Sequence, residues 1–109
     1  MRSDLPSRFQ TKVFVGNATV TTHDVGLYGL LVAATAGITL ILPTPGRELD
    51  GVECMIVNNS SDSVTIACSN GFPNSADNLT LPAGAAIYLY CAQLSGTAYR
   101  WATVGATAS

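Results

Sequence analysis

Hydrophobic and polar residues alternate with a period of two along most of this chain. That period marks strands with one inward and one outward face. Val52, Cys54 and Ile56 alternate with Glu53, Met55 and Val57. Val64, Ile66 and Cys68 alternate with Thr65 and Ala67, and Ile87, Leu89 and Cys91 alternate with Tyr88 and Tyr90. Leu79–Leu81 and Tyr99–Val104 read as further strands. Leu27–Val32 and Ile38–Leu42 are solidly apolar, as in a pair of buried strands joined by a turn at Ala34–Gly37. Gly16-Asn17 separates Lys12–Val15 from Ala18–Thr22, which predicts a two-residue hairpin. Turn residues also mark Pro43–Gly46, Asp50-Gly51, Asn58–Asp62 and Pro82–Gly84. No run of a dozen residues carries the 3.6-residue period of a helix. The expectation is an all-β fold: a small antiparallel β-sandwich or barrel of about eight short strands, with no substantial helix. It forms one domain over residues 11–104, with an N-terminal arm over 1–10 and a short C-terminal tail over 105–109.

Composition narrows the function. The chain has 109 residues, 48% hydrophobic and 11% charged, with a net charge of −2. Soluble domains carry about 25% charged residues, so something other than charged side chains must coat this one, or a partner must cover part of it. Five Lys and Arg residues in an acidic chain cannot track a phosphate backbone, which argues against a nucleic-acid partner. No signal-peptide pattern opens the sequence. The uncharged stretch Val25–Pro45 approaches the length of a membrane span, but Ala34–Gly37 interrupts it and Pro43 ends it, so a membrane partner is not expected.

Candidate chemistry is sparse. Cys54, Cys68 and Cys91 are odd in number, widely spaced and set in apolar strands. They read as reduced core residues rather than a disulfide framework or zinc site. His23, the single histidine, stands beside Asp24, but no nucleophile elbow accompanies it. Glu48, Asp50 and Glu53 read as a solvated turn. The loop Ser69–Asn78 offers calcium-type oxygens but only one carboxylate, Asp77. No cofactor, metal or catalytic set is expected, and the chain reads as a non-enzyme. The sequons at Asn17, Asn58, Asn59 and Asn78 matter only in a secreted protein. Aromatic residues are the remaining feature. Tyr88 and Tyr90 share one face of their strand, and Tyr99 and Trp101 share one face of theirs. Such rows suit a protein interface, a sugar-stacking platform or one end of the core.

Several short motifs occur in a telling order. Leu30–Pro43 resembles a strand–turn–strand unit of tailed-bacteriophage virion proteins. Gly51–Asn59 is similar to the strand that follows it there, running into Asn-rich polar residues. Ser63-Val64-Thr65-Ile66, then Leu81-Pro82-Ala83-Gly84-Ala85, then Tyr99-Arg100-Trp101 complete the order. The resemblance spans about Gly26 to Val104. It implies a small β-sandwich module of the kind found on capsid decoration proteins, head fibres and tail fibres, commonly as a homo-oligomer with the trimer foremost. A free-standing module with a polar arm fits a capsid decoration (cement) protein. Its partners would be its own copies and the major capsid protein, and its location the virion surface, after synthesis in the host cytoplasm. The alternative is a fibre module gripping host-surface glycans through Tyr88, Tyr90, Tyr99 or Trp101. The family motifs are structural, so no set of functional residues transfers with them.

Overall fold

A computed structural model of the chain describes residues 10–96 and 98–105. The arm expected over residues 1–10 therefore lies outside the described residues except for Gln10, and of the tail only Gly105 is described.

The described chain is all-β, in two mixed sheets. One sheet holds β1 (Gln10–Phe14), β3 (Tyr28–Ala33), β5 (Glu53–Asn58), β8 (Ala86–Ser95) and β9 (Ala98–Val104), side by side in that order. The other holds β2 (Ala18–Thr19), β4 (Thr39–Ile41), β6 (Val64–Ala67) and β7 (Asn78–Leu81). The chain passes from the first sheet to the second at residues 15–17, 34–38 and 59–63; after the first two crossings it returns one strand further along, to β3 and β5, and after the third it continues into β7 of the second sheet before reaching β8. Two full turns of a coil and half of a third result. Neighbours within a sheet are then one full turn apart and run parallel: β1 with β3, β3 with β5, β2 with β4, and β4 with β6. After β6 the direction reverses, and β6–β7, β5–β8 and β8–β9 are antiparallel.

The antiparallel arrangement expected from the sequence is therefore corrected. Gly16-Asn17 does not close a hairpin; it turns the chain from β1 in one sheet to β2 in the other. The apolar runs Leu27–Val32 and Ile38–Leu42 likewise supply β3 and β4 to different sheets instead of pairing. A turn between two alternating runs looks the same whether the runs pair or face each other. Backbone bonds stack the corners of successive turns: Ala34 N–H donates to Phe14 O, and Asn59 N–H to Ala33 O, each at 2.9 Å.

The periodicity does not predict the short helix α1 (Thr22–Leu27), because its six residues cannot display a 3.6 period. Its start is written locally. Thr21 is the N-cap: its hydroxyl accepts from Asp24 N–H at 3.1 Å, and the Asp24 carboxylate accepts from Thr21 N–H at 3.2 Å. This reciprocal capping box satisfies two backbone donors that the first turn leaves open.

Inward residues of both sheets form one core. Leu31, Ile56, Leu89 and Trp101 come from the first sheet, and Leu40, Ile66, Leu79 and Leu81 from the second. Phe72, from the loop before β7, fills one end at 0% exposure. A Cβ at Gly71 would stand 2.3 Å from Cys68 Sγ, so only glycine lets that loop lie against the core.

Candidate functional site

The aromatic residues fall on two opposite faces. In the β8–β9 register Cys91 is opposite Trp101 and Tyr90 is opposite Ala102. Residues directly opposite share a face. Trp101 therefore points inward with the buried Cys91 and has no exposed surface. Its indole N–H donates to Pro43 O at 2.9 Å, which satisfies the one polar group the ring brings into the core. Tyr99 is half-buried on the same side and packs against the core. Tyr88 and Tyr90 point outward, with ring centroids 5.9 Å apart and tilted by 38°. The four aromatics thus make no joint platform: Trp101 and Tyr99 support the core, and Tyr88 and Tyr90 belong to the surface.

That surface is the outer face of the five-stranded sheet. One row across it runs Thr11–Leu30–Met55–Tyr88–Val104, apolar but for Thr11 at the β1 edge, and the next runs Val13–Val32–Val57–Ala86. Val13, Met55 and Val104 are 55, 41 and 61% exposed. Leu30, Val32, Val57 and Tyr88 are half-buried by their neighbours in the sheet. Charge enters only toward one end, where Glu53 lies opposite Tyr90, and Arg100 opposite Ala92. The outer face of the four-stranded sheet is different. There Thr39, Thr65 and Thr80 form one row, and Thr19, Ile41, Ala67 and Asn78 the other. One sheet is apolar on both faces, and the other shows threonine outward. The alternation in β5 and β8 carries this signal in the sequence, since Met55, Val57, Tyr88 and Tyr90 stand where polar residues are ordinarily found.

Other candidate groups are engaged structurally. Asp24 Oδ1 accepts from Lys12 Nζ at 3.0 Å while Oδ2 serves the helix cap, so both oxygens are committed away from the exposed His23. Burial alone would raise the Asp24 carboxyl. The Lys12 ammonium, the Thr21 N–H and the Thr21 hydroxyl outweigh it and hold the carboxyl below its ordinary value. The Lys12 ammonium also lies 5.5 Å from the Phe14 ring and 5.6 Å from the Tyr28 ring, capping the edge of the core. All three cysteines are buried thiols outside any disulfide. Burial raises the Cys68 thiol, with Asp77 and Cys91 adding to it. Burial also raises Cys91, with Asp50 and Glu48 adding to it, against a hydrogen bond with the Gly46 backbone that lowers it. In the loop read for calcium, Asp77 accepts from Asn70 N–H at 2.6 Å. Among the described residues no group of three or more His, Cys, Asp and Glu side chains comes together, and no helix is long and apolar enough to cross a membrane.

A depression of about 340 Å³ lies where the loop before β7 meets the β8–β9 hairpin. Asn74, Ser75, Leu94 and Arg100 line it, and Asn74 and Ser75 both adopt left-handed backbone, φ 62° and 61°. Arg100 Nη1 donates to Tyr99 O at 2.9 Å. No acid, base and nucleophile meet among its lining residues.

Comparison with protein-family models, with curated proteins and with solved structures finds no match for this chain.

Proposed function

We propose that this chain is a non-enzymatic structural virion protein of a tailed bacteriophage: a capsid decoration protein that binds the outer capsid surface as an oligomer, the trimer foremost. The observation that carries the reading is the ordered resemblance from Leu30 to Trp101. In this reading the two sheets are the halves of a small β-sandwich and the major capsid protein is the partner. The poverty of charge supports it, because a protein held on a lattice among copies of itself has little need of a charged barrier against association. Weak contacts repeated over a lattice add through multivalency. Mass spectrometry of purified virions of the source phage is the test. The chain should be recovered in fixed proportion to the major capsid protein, and its absence from the particles overturns the reading.

The second reading, a fibre module that binds host glycans, draws its support from the outward Tyr88 and Tyr90 pair. Under it, Tyr90→Ala abolishes binding on a glycan array. A wild-type chain with no hits on the array removes it.

A further inference from the structure

We infer that the outer face of the five-stranded sheet is a self-association surface, and that its occupant is a second copy of this chain. The proposal goes beyond the virion reading and does not rest on it, since it concerns the purified protein alone.

Three observations carry it. The first is composition. A solvated sheet face alternates to polar residues, yet Val13, Val32, Met55, Val57, Tyr88 and Val104 make this one continuous and apolar across all five strands. Tyr and Met are among the residues enriched at protein interfaces. The second is size. Five strands about 4.8 Å apart, over about six residues of about 3.3 Å each, give a face on the order of 500 Å² in projection. That lies in the range of the largest apolar patches on monomers, which are often functional, and two such faces together reach the lower bound of about 1,000 Å² for a specific interface. The third is charge. Glu53 and Arg100 stand toward one end of the face with opposite signs, so two copies meet without net repulsion and with the charges toward the rim.

The outer face of the other sheet supplies the internal contrast. Its rows carry Thr39, Thr65 and Thr80 in one and Thr19 and Asn78 in the other, and Ile41 is the one large aliphatic residue in them. Association therefore has a defined side. Two copies packed face to face about a twofold axis are self-complementary, and three faces gathered about a threefold axis would be the trimeric equivalent. Both use the same residues.

The test is light scattering of the full chain during size-exclusion chromatography, at loads up to about 100 µM. The wild-type mass should be two or three times that of the monomer. Met55→Lys sets a cation in the centre of the face and should restore the monomer mass, with the far-ultraviolet circular dichroism and the buried emission of Trp101 unchanged. Ile41→Lys makes the same chemical change on the other sheet, at a residue 46% exposed, and should leave the multimer intact. Should Met55→Lys fail to fold, Val104→Glu at the open end of β9 takes its place. A wild-type chain that is monomeric throughout assigns the face to another occupant, either the chain's own terminal segment or a different protein, and overturns the proposal. A multimer that survives both face variants, or that Ile41→Lys dissociates, also overturns it. Absence of the chain from virions would leave this proposal standing, and a monomeric chain recovered from virions would refute it, together with the oligomer of the first reading, while leaving virion membership standing.

Discussion

Two adjacent asparagines make the sharpest test of how this domain is held together. Asn58 and Asn59 end the β5 strand region as neighbours, yet Asn58 is wholly buried and Asn59 exposed. The Asn58 amide donates from Nδ2 to Asp62 O at 2.8 Å and to Leu81 O at 2.9 Å, and its Oδ1 accepts from Ser60 Oγ at 2.6 Å. Its backbone N–H donates to Ala85 O, and its carbonyl accepts from Gly84 N–H, both at 2.9 Å. One side chain thus ties the corner after β5 to the end of β7, across the two sheets. Asn58→Leu keeps the branched shape and heavy-atom count of the side chain and removes all three side-chain bonds, while its bulkier methyls add overpacking strain to the loss. Each bond is worth about 1 kcal/mol net, and a buried carbonyl left without its donor adds about 1–3 kcal/mol at Leu81 O. Asp62 O retains a bond from Ser60 Oγ at 3.0 Å, so the second carbonyl adds little. Burying the leucine side chain returns about 1–2 kcal/mol. The net loss is about 2–5 kcal/mol, or a fall in melting temperature on the order of 10–25 °C for a domain of this size. Urea unfolding, followed by Trp101 emission and by circular dichroism, measures it directly. Asn59→Leu, the matched control, should stay within about 0.5 kcal/mol of wild type. A loss below about 1 kcal/mol for Asn58→Leu, or equal losses for the two variants, refutes the assignment of Asn58 as the corner clamp.

Further expectations follow from the same contacts. The Asp24 carboxyl titrates below its ordinary value of 3.8 in the folded state, so its contribution is full above that pH and disappears as the pH falls through the folded value. Urea midpoints should therefore fall less between pH 6 and acid for Asp24→Asn than for wild type, while at neutral pH the variant should lose about 1 kcal/mol through the cap; identical pH profiles would refute this. Gly71→Ala drives a methyl into Cys68 Sγ and should cost about 1–3 kcal/mol by overpacking, read as an earlier thermal transition. Cys54, Cys68 and Cys91 should react with a disulfide reagent only slowly in the native protein and completely in denaturant. Burial disfavours the thiolate at Cys68 and Cys91, and a rapid native reaction would contradict their placement.

Much of the local structure is legible along the chain. The runs around Cys54, Ile66 and Leu89 are strands with those residues inward, because a strand's faces follow from a two-residue period that any reader of the sequence can count. The capping box at Thr21 and Asp24 is legible as well, as a Thr with an acid three residues on, although it opens only a six-residue helix. Less of the candidate face can be read. Tyr88 and Tyr90 are outward by parity alone. That they share a face with Met55, Val57, Val32 and Val13, and not with Trp101, depends on which strands are neighbours.

The sequence by itself determined that the chain is built of short strands, where most of them lie, and, for the alternating runs of β5, β6 and β8, which residues face the core. Tertiary structure alone decided that successive strands cross between two sheets, so that β1, β3 and β5 run parallel and Gly16-Asn17 turns a corner instead of closing a hairpin. It likewise decided that Asn58 is buried while Asn59 is not, and that the outward residues of five separate strands merge into one apolar surface. The physical reason is the same in each case. Which face a residue takes is set by its own strand's geometry, whereas pairing partners and burial at a corner are set by segments tens of residues away.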